Sequence, residues 1–137
     1  MKKLVVALMA LCAVALSFNS CESGPKADEA TKPVAGHTYR CTDSVKLGYF
    51  QVTFHTNYEC TIEVKQDKDS DPVSRRLYVW DMSGTLVEIR YADNAAVGGI
   101  PMGGVMFLTG EYNAATKRVT LKMADDPKQV YPCDFVK

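Results

Sequence analysis

The chain predicts an all-β fold, an eight-stranded antiparallel up-and-down barrel, and three observations carry that reading. First, the stretch 105–123, VMFLTGEYNAATKRVTLKM, reads as two strands folded back through Asn113-Ala114-Ala115-Thr116. Its second arm alternates, with Val119, Leu121 and Met123 on one face and Arg118, Thr120 and Lys122 on the other, as a half-buried strand requires. Asn113 suits the start of a four-residue loop built on a type I turn, where its carbonyl and side chain close the bend. Second, from Gly36 onward no helical periodicity of useful length competes with short runs divided by turn residues. Third, eight consecutive strands joined by mostly short links form a meander that closes by pairing the first strand with the last. Closure removes both exposed edges.

The eight runs are 38–43, 47–55, 58–65, 73–82, 85–92, 104–113, 117–124 and 129–136. The second sets Phe50, Val52 and Phe54 against Tyr49, Gln51, Thr53 and His55. The third sets Tyr58, Cys60, Ile62 and Val64 inward against Glu59, Thr61, Glu63 and Lys65. In the fourth, Leu77, Tyr78, Val79 and Trp80 are all apolar, so either face can be the buried one. Ser83-Gly84 turns it into the fifth, where Val87, Ile89 and Tyr91 alternate with Glu88 and Arg90.

At 137 residues and 47% hydrophobic, the chain has the size of one domain with a true core. Lys2-Lys3 followed by the apolar run 4–16 reads as an export signal over residues 1–20, too short for a comfortable membrane span. Removing it leaves 14 basic against 16 acidic residues, a net charge of −2. That balance lacks the basic stripe that nucleic-acid binding needs. Leu16-Ser17-Phe18-Asn19-Ser20-Cys21 matches a relaxed lipoprotein processing site, with a small residue directly before a cysteine. Lipidation of Cys21 is expected, and several acyl chains at about 0.8 kcal/mol per buried methylene would anchor the domain to a membrane stably. The alternative is cleavage after Ser17 with no lipid. The protein is accordingly expected outside the cytoplasm, as an outer-membrane or cell-surface lipoprotein or, alternatively, in the periplasm. Residues 21–35, small, charged and Pro-bearing, read as a flexible tether, and 36–137 as the barrel domain, expected to be monomeric.

Cys41 falls in the first run and Cys133 in the last, where a disulfide would staple the seam in an oxidising compartment. Its loop of about 90 residues corresponds to roughly 4 to 5 kcal/mol of chain-entropy stabilisation. Cys60 is then left over. The alternative is three buried thiols acting as small apolar groups.

Two resemblances follow from these residues. The lipoprotein-like start, Gly36-His37-Thr38-Tyr39 where lipocalin-like first strands carry Gly-x-Trp, and the late hairpin with Leu108-Thr109-Gly110-Glu111-Tyr112 resemble the small lipocalin-like (calycin-type) lipoproteins of Bacteroidetes-like bacteria. That resemblance implies a barrel with small-molecule binding. Tyr39-Arg40-Cys41 and Cys133 are also similar to the outline of the membrane-bound inhibitors of C-type lysozyme, which implies a protein partner such as a host lysozyme. The inhibitory loop of that family and its Trp-x-x-Gly have no counterpart here, since Trp80 is followed by Asp81-Met82-Ser83-Gly84.

No constellation with catalytic spacing is present: the two histidines, His37 and His55, lack a HExxH, CxxC or Gly-x-Ser-x-Gly context. A binding module, without cofactor or metal, is therefore expected rather than an enzyme. Asp67-Lys68-Asp69-Ser70-Asp71 has the spacing of the first ligands of a calcium loop, but Pro72 and Tyr78 stand where Gly and an acidic residue are needed. It reads as a solvated hairpin loop. Asp43-Ser44-Val45 matches a short O-glycosylation sequon at Ser44. The most unusual loop is 94–104, in which Val97, Gly98, Gly99, Ile100, Met102, Gly103 and Gly104 form a long apolar stretch among short polar links. It is read either as a lid offering an apolar surface to a ligand or partner, or as a plug over one barrel end. Tyr39, Phe50, Phe54, Tyr58, Tyr91, Tyr112, Tyr131 and Phe135 are expected to point inward, and the barrel is read either as filled by them or, in the alternative, as holding a ligand-sized cavity.

Overall fold

The computed structural model describes residues 24–41, 49–67 and 71–137. Its strands are β1 (Thr38–Cys41), β2 (Tyr49–Phe54), β3 (Glu59–Lys65), β4 (Pro72–Ser83), β5 (Leu86–Tyr91), β6 (Ala96–Val97), β7 (Ile100–Pro101), β8 (Met106–Asn113), β9 (Arg118–Met123) and β10 (Val130–Phe135). Eight of them close into a barrel in the order β1-β10-β9-β8-β5-β4-β3-β2. Every pair is antiparallel and, with the small β6-β7 hairpin set aside, neighbours follow in sequence except where β1 pairs with β10 to close the barrel. The fold class predicted from the sequence is therefore the one observed, an up-and-down barrel of lipocalin-like architecture. The barrel strands begin and end within two residues of the predicted runs.

Local chemistry sets the turns. The Asn113 carbonyl accepts from the Lys117 amide at 2.8 Å, and its side-chain oxygen accepts from the amides of Ala115 and Thr116 at 2.9 and 3.3 Å. Closure rests on β1, which pairs Tyr39 with both Val52 and Phe135, and Cys41 with both Phe50 and Cys133.

The interior is divided along the barrel axis. Toward the end that carries the β2–β3, β4–β5 and β8–β9 turns, it is packed solid. Tyr39 and Phe54 meet edge to face at 5.8 Å, Phe54 and Trp80 at 5.3 Å, and Tyr58 leans on Trp80 at 5.5 Å. The Trp80 indole N–H donates to the His55 carbonyl at 2.9 Å. On β8, Gly110 leaves the room that Leu121 fills, because a Cβ there would stand 2.7 Å from Leu121 Cδ2 and 3.0 Å from the Thr120 carbonyl. The other half is open, so the expectation of a filled barrel holds for one half only. Its aromatic residues fall in layers, and the upper layers also contain smaller side chains.

The expected tether is also corrected. Residues 24–35 continue into the lead-in to β1 and close the packed end of the barrel, with Ala27, Val34 and Ala35 buried. Polarity and prolines suggested a spacer, but short turns satisfy the backbone here, and the few small apolar side chains reach the core. Ala27 N–H donates to the Thr56 carbonyl and Gly36 N–H to the Phe54 carbonyl, both at 2.6 Å, while Lys32 N–H closes a turn on Asp28. The Lys32 ammonium bridges the Asp81 carboxylate at 2.8 Å and the Tyr58 hydroxyl at 3.0 Å, lying over the Tyr58 ring. The hydrogen bond from Lys32 lowers the Asp81 pKa, and the same bond, followed by that to Tyr58, raises the Lys32 pKa. The bridge therefore contributes fully above the unfolded carboxylate value of about 4 and below the unfolded ammonium value of about 10.4. Its contribution is lost as pH falls through the depressed Asp81 value or rises through the elevated Lys32 value.

Two measurements check this closed end. Val34→Ala should lower unfolding stability by about 2 kcal/mol, from two buried methyl groups and the void they leave; an unchanged urea midpoint would mean that the segment does not hold to the barrel. Asp81→Asn should lower the midpoint at neutral pH, with the difference from wild type fading below about pH 4. A difference that persists undiminished to the acid end of the titration contradicts the bridge.

Candidate functional site

The open half of the barrel is a chamber of about 350 Å³ whose mouth lies at the end carrying the β6–β7 hairpin. Strand pairing stacks its wall in rows. Phe50, Val64 and Ser74 form the outermost row across β2, β3 and β4; Val52, Ile62 and Arg76 come next; Phe54, Cys60 and Tyr78 form the floor side. Tyr91, Phe107, Leu108, Met123 and Tyr131 complete the lining, and Val97 reaches it from β6. The surface is mainly aliphatic and aromatic with a few convergent polar groups, the usual make-up of a small-molecule site.

Phe107 reaches the chamber through an irregularity. On β8, Leu108 pairs with Ile89 and Met106 with Arg90, so Phe107 is an extra residue in the ladder. Such a bulge re-aims a side chain. Phe107 thereby shares the interior with its neighbour Leu108 and stacks on Tyr78 at 4.7 Å, with Tyr91 at 5.1 Å. Strict alternation would have sent it outward, and nothing in the residues themselves signals the bulge.

Arg76 and Ser74 were also missed, for a different reason. The face of β4 was open because residues 77–80 are all apolar. Once Tyr78, Trp80 and Met82 turn inward, parity puts Ser74 and Arg76 on the same face, where they line the chamber near its mouth and stay exposed to solvent. Burial pushes the Tyr78 pKa up, and the charge of the nearby Arg76 guanidinium opposes that rise. Tyr131 donates its hydroxyl to the Gln129 side chain at 2.8 Å.

The 94–104 loop is a mouth structure rather than a lining. Val97 and Ile100 pair across Gly98-Gly99, whose φ angles of +58° and +81° suit the two-residue turn that hairpins prefer. Of the residues singled out, only Val97 lines the chamber. Ile100 is 63% exposed at the hairpin tip, Met102 donates its amide to Ala95 at 2.9 Å, Gly103 lies against the Asp93 carbonyl, and Gly104 donates its amide to Tyr91. The loop therefore does not plug the barrel.

Cys41 and Cys133 stand directly opposite one another on β1 and β10, both buried. In the structure they are neighbouring thiols with no disulfide between them, and the Cys133 thiol donates to the Tyr131 carbonyl at 3.4 Å. Cys60 is a third buried thiol, whose pKa burial raises. His55 meets the Thr61 hydroxyl on the outer face at 2.7 Å, and His37 meets Glu29 at 2.6 Å beside Phe135. Among the described residues, no group of three or more His, Cys, Asp or Glu side chains could hold a metal ion. Cys21, where lipidation is expected, Ser44, where a sugar is expected, and positions 68–70 of the acidic loop lie outside the described residues.

Two other depressions are less suited to a ligand. A groove of about 500 Å³ runs on the outer face beside Thr53, His55, Thr61 and Leu77, where residues 24–26 cross it, and a dimple of about 170 Å³ lies near His37 and Lys117. The groove is larger than the chamber, but it lies on the outer face of the sheet and is lined largely by polar side chains. No protein-family model, curated protein or solved structure matches the chain.

The cysteine register yields a direct test. Protein recovered from an oxidising compartment should be lighter by two hydrogen atoms than the reduced form, with the Cys41 and Cys133 peptides linked. Alkylation of both as separate thiols after denaturation without reductant would leave the seam held by hydrogen bonds alone.

Proposed function

We infer that the domain is a binding module that takes a small apolar or amphipathic molecule into the open half of its barrel. The observation that carries this is the chamber of about 350 Å³, walled by Phe50, Ile62, Phe107, Leu108 and Met123 and open at one end. An engineered apolar cavity of about 150 Å³ suffices for benzene. A chamber more than twice that size accommodates a short acyl chain or a two-ring aromatic. Uptake into such a site gains the hydrophobic transfer energy of the body while leaving a polar head near the mouth.

The export signal at residues 1–20 and the Cys21 lipobox support carriage at the cell envelope. Gly24 lies beside Asn57 and Thr56 at the plugged end. Three residues of chain span at most about 10 Å. A lipid on Cys21 would therefore hold the plugged end close to the membrane and turn the mouth away from it.

A second reading, capture of a protein such as a C-type lysozyme or another envelope partner, rests on Ile100, which is 63% exposed at the hairpin tip beside Val97 and Val105. The two separate cleanly. With N-phenyl-1-naphthylamine as an uncharged fluorescent probe, the wild-type domain should show saturable enhancement and a raised Tm, as linkage requires. Val64→Trp, which fills the mouth, should abolish both without unfolding the barrel, and Ile100→Asp should leave both intact. No saturable enhancement in the wild type overturns the chamber as a binding site. Inhibition of a C-type lysozyme that Ile100→Asp removes would transfer the function to the hairpin.

A further inference from the structure

The chamber is apolar except at one place. Among the described residues that line it, Arg76 alone carries a charge and none is a carboxylate. The other arginines among the described residues are engaged by side-chain acceptors: Arg75 by Glu63, Arg90 by Glu88 and Arg118 by Asp134. Arg40 holds the Gln51 side chain through two nitrogens, at 3.1 and 2.9 Å. No ion pair joins Arg76 to a carboxylate among the described residues, and the Tyr78 side chain lies beside it on the same face of β4.

Position sharpens the contrast. Arg76 sits one row inside the mouth, level with Val52 and Ile62, on β4. Ser74 lies one row above it and Tyr78 one row below on the same inward face. The strand four places away around the eight-stranded barrel is β10, whose Tyr131 faces the chamber, stacked edge to face on Phe50 at 5.3 Å. One wall is therefore a cation flanked by hydroxyls, and the opposite wall is aromatic and aliphatic. A guanidinium offers a planar fork of donors that matches a carboxylate through two parallel hydrogen bonds.

We propose that the ligand of this chamber is an apolar carboxylic acid, its carboxylate held by Arg76 with the Ser74 and Tyr78 hydroxyls beside it, and its hydrocarbon body lying against Phe107, Met123 and Tyr131. This rests on the chamber being a binding site and specifies what it selects. A neutral amphiphile of equal length lacks the charge that Arg76 meets, and an alkylammonium of equal length is repelled by it.

The test uses octanoate, 1-octanol and octylammonium as competitors for N-phenyl-1-naphthylamine on the wild-type domain and on Arg76→Gln. Octanoate should displace the probe from the wild type at a concentration about tenfold or more below that of 1-octanol, and octylammonium should be weakest. In Arg76→Gln the octanoate advantage should vanish while 1-octanol is unchanged, which also shows that the variant is folded and its chamber intact. Equal displacement by octanoate and 1-octanol, unaffected by the substitution, overturns the assignment to an acid and leaves the apolar chamber standing. Failure of both to displace the probe overturns the assignment together with the chamber's role.

Discussion

The width of a closed eight-stranded barrel governs the rest of this molecule. β1 is only four residues long, yet it pairs with β2 on one side and β10 on the other, and through those ladders the sheet has no free edge. Closure at this strand number gives an interior just wide enough to be filled by side chains or to hold one small ligand. Which of the two occurs is decided layer by layer by residue size. Tyr39, Phe54 and Trp80 interlock in the lower layers, and Gly110 admits Leu121 between them. In the upper layers Ser74, Val64 and Ile62 stand where equally large rings would have been needed, and space remains.

The two ends are built for different tasks. Residues 24–37 bring Ala27, Val34 and Ala35 over the packed end, and the bridge from Lys32 to Asp81 ties that segment to β4. The other end carries the long β5–β8 connection, whose β6–β7 hairpin stands at the mouth without filling it. A barrel closed at one end and open at the other admits a ligand along one route only. The polar wall formed by Ser74, Arg76 and Tyr78 runs along that route, so the two sides of the chamber differ in chemistry.

Much of the fold was legible because period-2 alternation is a local signal. β2, β3, β5 and β9 each declare their inward face in their own residues, and Asn113 declares its turn. The site was far less legible, because its residues depend on relations between strands. Arg76 turns inward only because Tyr78 and Trp80 do, and the apolar run around them leaves that choice to the tertiary packing. Phe107 enters through a bulge that only the pairing of β5 with β8 reveals. The N-terminal segment misled for a related reason: its composition is that of a spacer, and its order comes from Val34 and Ala35 meeting a core that local sequence does not show. The 94–104 loop stands at the open end of the barrel, but of its apolar residues Val97 alone lines the chamber.

The central claim is that the barrel is solid in one half and open and apolar in the other. Crystals of the domain under xenon pressure test it most directly, since xenon enters apolar cavities without regard to charge or shape. The account predicts xenon between Phe107, Leu108 and Met123 and none among Tyr39, Phe54 and Trp80. A chamber without xenon, with its side chains collapsed inward, would contradict it.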